Sequence, residues 1–221
     1  MSRFKNETQK RFSIEEDQPS NWFEPLYSKA STSGEGVPWA NMETHPSFAR
    51  WLKENPQNGR GKSALVVGCG MGDDAVELES LGFHVTAFDV SETAVKYCEE
   101  RFPRSAVRFV QTDFLEEQPQ WQRGFDLVVE IFTVQALPPK YEQQLAESIS
   151  EFVAPGGRLV VVAEVGAGGR SFEKGPPWLL TPEHIDSFAA CGLSVEGRVV
   201  EDSSLDDGEC TFVTTFERAR G

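Results

Sequence analysis

From Ser63 onward the chain alternates short apolar runs, rich in β-branched residues, with stretches of helical character, and this rhythm limits the possible folds more than any other feature. The apolar runs are Ala64–Val67, Val85–Phe88, Val107–Val110, Leu127–Ile131, Leu159–Ala163 and Leu193–Val200. Helical stretches lie between them at Asp74–Leu81, Glu92–Arg101, Lys140–Val153 and Pro182–Cys191. Ser91 stands where a side-chain oxygen can cap the second helix, and Thr181-Pro182 puts a hydroxyl before a proline in the first turn of the fourth. Gly82 and Gly192 follow helix ends, as left-handed caps do. Continuous apolar strands separated by helices predict a mostly parallel sheet covered on both faces. The end of the chain breaks the rhythm: after Leu193–Val200 the acidic stretch EDSSLDDGE leaves no room for a crossover helix before Thr211–Phe216. Two strands joined so briefly must be antiparallel. The expected fold is therefore α/β, a seven-stranded mostly parallel sheet ending in a C-terminal antiparallel hairpin, with helices on both faces.

A length of 221 residues suits one such domain and is enough to bury a full core. The formal net charge of −14 repels nucleic acid and anionic membranes alike. Arg101, Arg104 and Arg108 form one small basic group, which reads as a solvated helix end and strand start. Four widely spaced cysteines, Cys69, Cys98, Cys191 and Cys210, contain no C-x-x-C pair, so neither a zinc site nor a disulfide framework is expected. Reduced thiols, an N-terminal stretch without an apolar h-region and no apolar run near 20 residues predict a cytoplasmic location. Residues 1–20 are polar and aperiodic and are expected to be a flexible arm. Residues 21–221 read as a single domain, with a core at 63–217 and an N-terminal segment at 21–60. That segment interleaves Trp22, Phe23, Leu26, Tyr27, Val37, Trp39 and Met42 with loop residues. A short helix, Pro46–Lys53, follows His45.

In open α/β sheets ligands bind beyond the carboxyl ends of the strands, at the topological switch point. The first strand runs into Val67-Gly68-Cys69-Gly70-Met71-Gly72 and then Asp73-Asp74. Glycines there let the backbone turn tightly and approach a ligand. The dinucleotide fingerprint G-x-G-x-x-G fails at its sixth position, where Asp73 stands. An acidic pair at a helix start also opposes a pyrophosphate. A ligand without phosphates, such as S-adenosylmethionine, meets no such repulsion. The second strand ends in Asp89, able to accept both hydroxyls of a ribose or to stand as a solvated acid. The third ends Thr112-Asp113-Phe114, which reads equally as an adenine site and as a turn acid beside a core ring. In the fourth, Glu130 reads as a partner for an amino group, a group at the reaction centre or a buried structural acid. Ala154-Pro155-Gly156-Gly157-Arg158 reads as a structural turn.

Taken in order, VVGCGMG at 66–72, FDVS at 88–91, QTDF at 111–114, LVVEIF at 127–132 and APGGRL at 154–159 resemble the class I S-adenosylmethionine-dependent methyltransferases, whose sheet is Rossmann-like and ends in the same hairpin. The resemblance implies that Gly68, Cys69 and Gly70 contact the methionine part and that Asp89, with Val90 beside it, holds the ribose. Thr112, Asp113 and Phe114 then flank adenine, and Glu130 adjoins the amino group. Trp22 with Tyr27, Val37-Pro38-Trp39 and Gln135-Ala136-Leu137-Pro138-Pro139 are similar to segments of the thiopurine, thiol and halide methyltransferases. The chain departs from that subgroup at Tyr27, at Ala40 and at Glu130-Ile131, where a tryptophan, an acid and an Asp-Arg pair are usual.

The implied reaction is transfer of a methyl group to a small molecule, a thiol or halide in the terms of the subgroup, with S-adenosylhomocysteine as product and no metal. Trp22, Tyr27 and Trp39 are candidates for an aromatic lid over the sulfonium, by cation–π attraction; the alternative is simple packing of the N-terminal segment. A thiol or halide acceptor needs little or no general base; an alcohol or carbon acceptor would need one, for which His45 is the nearest candidate, and no catalytic base is assigned. The loop from Gly166 to Leu180, with Trp178 near its end, is a candidate gate. Two further readings stay open: a nicotinamide-dependent oxidoreductase, and a cofactor-binding protein without an acceptor site. A nucleic-acid methyltransferase would need a basic face and often an Asn/Asp-Pro-Pro-aromatic strand end, and neither is present.

Overall fold

A computed structural model describes residues 14–113, 115–166, 170–202 and 209–220. Phe114, the tip of the candidate gate and most of the acidic hairpin turn lie outside the described residues. Seven strands form one sheet: β1 (Ser63–Val67), β2 (His84–Asp89), β3 (Arg108–Gln111), β4 (Phe125–Ile131), β5 (Val153–Val165), β6 (Ser194–Asp202) and β7 (Cys210–Glu217). Their order is β3-β2-β1-β4-β5-β7-β6. All neighbours are parallel from β3 to β5, and β7 runs antiparallel to both β5 and β6. The C-terminal hairpin is thus as expected. The strand order reverses between β1 and β4, so the switch point lies where the glycine loop leaves β1.

The helices are α1 (Phe23–Tyr27), α2 (Pro46–Glu54), α3 (Asp73–Ser80), α4 (Glu92–Arg101), α5 (Glu142–Phe152) and α6 (Pro182–Ala190). Alternate residues of the central strands feed two cores, as a period of two requires. Leu65, Val67, Phe88, Val128, Leu159 and Val161 meet Leu145 and Ile149 of α5 and Ile185 and Phe188 of α6. On the other face Ala64, Val66, Ala87, Leu127, Val129 and Val160 meet Phe48 and Trp51 of α2 and Ala75 and Leu78 of α3. Among the described residues no helix is long and apolar enough to cross a membrane.

Two local expectations need correction. The turn expected at Ala154–Arg158 is taken into β5, which starts at Val153 and is irregular where it meets β4 between Phe125 and Leu127. The arm expected over residues 1–20 packs from Ile14 onward: Ile14 is buried, and the Oγ of Ser20 donates to Asp113 at 2.7 Å. Composition alone hid the second, because one apolar residue and one hydroxyl suffice to anchor a polar stretch.

Candidate functional site

The glycine loop is built for close approach. Gly68, Gly70 and Gly72 have φ of 60°, 54° and 86°, in the left-handed region where an L side chain is strained. A Cβ on Gly68 would lie 2.6 Å from the Oγ1 of Thr133, and one on Gly72 2.8 Å from the Sγ of Cys98. The loop is tied to both neighbouring strands. The Cys69 N–H donates to the carbonyl of Phe88 at 2.8 Å, and the Thr133 hydroxyl donates to the carbonyl of Val67 at 3.0 Å.

Beside this loop a small cavity of about 70 Å³ opens to solvent. One wall is Val66 to Asp74; the others are Ile131 and Phe132 from the end of β4, and Trp39, Ala40, Asn41, Glu43 and His45 from the N-terminal segment. The N-terminal segment, the glycine loop and the β4 end therefore meet at the switch point. Phe132 holds φ at 61°, a strained value for a bulky residue and one that clusters at working sites.

Of the aromatic lid candidates, Trp39 lines the cavity, while Trp22 and Tyr27 do not. Those two are buried behind it: the Trp22 ring meets Trp39 edge-on at 5.9 Å, and the Tyr27 hydroxyl accepts from the Trp39 indole N–H at 3.1 Å. A Cβ on Gly70 would lie 3.1 Å from that same Tyr27 hydroxyl, so Tyr27 caps the loop from above. Trp39 is then the aromatic face presented to a ligand, and the other two position it.

The acids occupy distinct places. Asp89 is 6% exposed and accepts from the backbone N–H groups of Gly70 and Ser91, each at 3.0 Å. Burial pushes its carboxyl up to about 6, against the pull of those N–H groups. It therefore clamps the loop to β2. Asp113 accepts from Ser20 and, at 2.9 Å, from the N–H of Leu115, while the Thr112 hydroxyl accepts from Gln118 at 2.9 Å. The carbonyl of Val90 accepts from the Gln111 side chain at 3.0 Å. None of these four residues lines the cavity. Glu130 is 1% exposed; its Oε1 accepts from the N–H groups of Thr133 and Val134 at 2.6 and 2.9 Å, and its Oε2 has no partner among the described residues. Burial pushes this carboxyl up to about 7, more than the two N–H groups pull it down.

The acids that do line the cavity are Glu43, Asp73 and Asp74. Asp73 is gripped by both arms of the Arg101 guanidinium at 2.7 Å. Asp74 accepts from the His45 backbone N–H at 2.8 Å, and burial pushes its carboxyl up to about 6. Sequence reasoning used the Asp73-Asp74 pair only to argue against a phosphate ligand and did not place it in the site. Its position at the first turn of the helix after a glycine loop was the available signal. Nothing in the sequence marked Phe132.

Comparison with known proteins agrees with this geometry. Residues 64–157 match a family described as a methyltransferase domain. The chain is 30% identical over 145 residues to a protein of Arabidopsis thaliana named "Probable thiol methyltransferase 2", covering 62% of each chain. It is 32% identical over 103 residues to thiocyanate methyltransferase 1 of Brassica oleracea, covering 45% of each. The matches thus span less than two thirds of these relatives. Among solved structures, one described for the conversion of a disulfide bond into a thioacetal group during echinomycin biosynthesis superposes with a TM-score of 0.71 at 21% identity, over 91% of this chain and 94% of the other. The 1,6-didemethyltoxoflavin-N1-methyltransferase of Burkholderia thailandensis gives 0.63 at 20% identity, over 79% and 77%. The chain has the class I S-adenosylmethionine-dependent methyltransferase fold. Proteins similar to it in sequence include some named thiol and thiocyanate methyltransferases.

Proposed function

We propose that this protein binds S-adenosylmethionine at the end of β1 and catalyses transfer of its methyl group to a small sulfur nucleophile or halide. The observation that carries this reading is the cavity at the switch point, walled by a left-handed glycine loop on one side and by Trp39 to His45 on the other. A dinucleotide reading would place a pyrophosphate at the start of α3, where Asp73 and Asp74 face the same cavity. The relatives named for thiol and thiocyanate support the acceptor class.

The residues present fit the cofactor. Gly68, Cys69 and Gly70 line the cavity and would meet the methionine part, and the unpartnered Oε2 of Glu130, one residue before the cavity-lining Ile131, suits an ammonium group. Asp89 and Val90 would hold the ribose and Thr112 and Asp113 the adenine. Trp39 would face the sulfonium, with Tyr27 and Trp22 fixing its ring. When bound, the cofactor supplies an electrophilic methyl group on a positively charged sulfur. The chain's own contribution is to align the acceptor and exclude water. Free thiols at the described cysteines suit a reducing cytoplasm, where we place the protein.

Thermal unfolding with S-adenosylhomocysteine, S-adenosylmethionine and NADH tests this directly. A ligand at a hundred times its dissociation constant adds about 2.7 kcal/mol, a rise of roughly 5–11 °C for a chain of this size. The expected result is a rise with the two adenosyl compounds and none with NADH; the reverse would return the loop to the oxidoreductase reading.

A further inference from the structure

The cavity carries an electrostatic bias that bears on the acceptor. Its ionisable lining consists of Glu43, His45, Asp73, Asp74 and the Cys69 thiol, which its surroundings keep protonated, and among the described residues it holds neither a lysine nor an arginine. Arg101 offsets Asp73 from outside the lining, which leaves Asp74 and Glu43 to set the sign. The whole chain adds to that sign with a net charge of −14. An anionic acceptor would enter against like charge, with Asp74 the less exposed and so the less screened of the two carboxyls. A neutral nucleophile meets no such barrier, but it must lose a proton as it is methylated.

His45 is placed to take that proton. It precedes Pro46, the first residue of α2, and its backbone N–H is pinned by Asp74. Its ring packs edge-on against Phe132 at 4.9 Å between centroids. A histidine kept only for packing spends its buried ring nitrogens on hydrogen bonds. The Nδ1 of His45 is buried and has no partner among the described residues. The charged groups around the ring are Asp73 and Asp74 from α3, Glu43 from its own segment, and Glu201 from β6, which Arg50 and Ser47 hold in place. Burial pushes the imidazole down, against the pull of Glu201, so the ring is neutral at pH 7 and can accept a proton.

We infer that the methyl acceptor is a neutral thiol rather than a preformed anion, and that His45 is the catalytic base that removes its proton. This rests on the methyltransferase reading above. The electron balance is that of a displacement: the thiol sulfur forms the new bond to the methyl carbon, the old carbon–sulfur bond leaves its pair on S-adenosylhomocysteine, and the S–H proton passes to the imidazole and then to water.

The test begins with calorimetry of S-adenosylhomocysteine against the full chain, the His45→Gln variant and the Glu43→Gln variant. Binding by the wild type is expected, with the variants' affinities fixing the cofactor concentration at which each is saturated, and failure of the wild type to bind would overturn the methyltransferase reading and this inference together. Methylation of 1-propanethiol, thiocyanate and iodide is then followed from pH 6 to 9. The thiol is expected to exceed both anions at least tenfold in kcat/KM. His45→Gln is expected to lower the thiol rate at pH 7 by about a hundredfold. The gap should narrow as the pH rises towards 9 and the preformed thiolate makes up a growing fraction of the acceptor. Glu43→Gln is expected to raise the thiocyanate rate. A readout independent of turnover is the imidazole resonance of His45, assigned by its loss in the variant, since the chain has three histidines. It should shift when propanethiol is added to protein saturated with S-adenosylhomocysteine. Cofactor binding combined with equal use of thiocyanate, or with a thiol rate indifferent to His45→Gln, would overturn the inference and leave the methyltransferase reading standing.

Discussion

The two halves of the site are built on opposite terms. At the β1–β4 half the cavity is open, its glycines leave backbone bare, and the Oε2 of Glu130 has no partner among the described residues. At the β2–β3 half the polar groups are already engaged: Asp89 by the glycine loop, Thr112 by Gln118, Asp113 by Ser20 and Leu115. The N-terminal segment is seated across that half. Glu24 of α1 accepts from Ser91 and Thr93 at the start of α4, and the Tyr97 hydroxyl donates to the carbonyls of Tyr27 and Ala30. The difference teaches that the two ends of an adenosyl ligand would bind by different routes. On the proposed reading the methionine end would meet a preformed space, and the adenosine end would either displace or share contacts the chain makes to itself.

The largest effect should come from releasing the segment. Trp22 is buried between Phe23 and Trp39. Trp22→Ala should cost about 3–5 kcal/mol of stability, with amide exchange rising first over residues 20–40. Trp39→Ala, which faces the cavity, should instead spare stability and cut turnover. If both variants melt and turn over like the wild type, the segment is not part of the site.

Next in size is Glu130. Its carboxyl is raised to about 7 by burial, so the stability it contributes is fully present below its ordinary value near 4.5 and is lost as the pH rises through 7. Glu130→Gln keeps an acceptor for Thr133 and Val134 and removes the charge. The variant should match the wild type at pH 4.5 and gain on it by at most about 3 kcal/mol at pH 8. At pH 8 it should also bind S-adenosylmethionine more weakly. Denaturant melts at the two pH values decide this: a gain at pH 4.5, or none at pH 8, would mean that Glu130 is not a charge held ready for a ligand.

Gly70 probes the open half. Gly70→Val places an L side chain at φ 54° against the Tyr27 hydroxyl, a strain of about 1–2 kcal/mol before any clash. Calorimetry should show at least a hundredfold loss of S-adenosylhomocysteine affinity while the fold survives. Retained affinity would move the methionine part elsewhere.

The contrast between the halves also explains what the sequence could show. The mostly parallel sheet, the hairpin and the glycine loop were legible because each depends on local pattern: β-branched runs, helix punctuation and a strand-to-helix turn. His45 was visible as a candidate base because it stands beside a helix start. The engagement of Asp113 was not legible, because its partner Ser20 lies 93 residues away and looked like part of an unstructured arm. The split among the aromatics was hidden for the same reason. Trp22, Tyr27 and Trp39 have equal claims by composition, and only packing decides which ring is left facing the cavity. The tie from β6 to α2, where Glu201 accepts from Ser47 across 154 residues, carries no local signal at all.

The smallest effect is the one that tests exchange itself. Ser20 donates to Asp113 from a partly buried position, a bond worth about 0.5–1.5 kcal/mol. If the segment competes with the adenosine end, Ser20→Ala frees the Asp113 oxygen in the empty protein and costs the complex nothing. S-adenosylhomocysteine should then bind up to about tenfold more tightly, by the conversion of that bond energy into affinity, while the melting temperature of the unliganded protein falls slightly. If the bond instead persists beside the ligand and orders Asp113 for it, the same substitution should weaken binding. The sign of this small change separates a segment that yields its place from one that shares it, and Asp113→Asn calibrates the measurement by altering both partners at once.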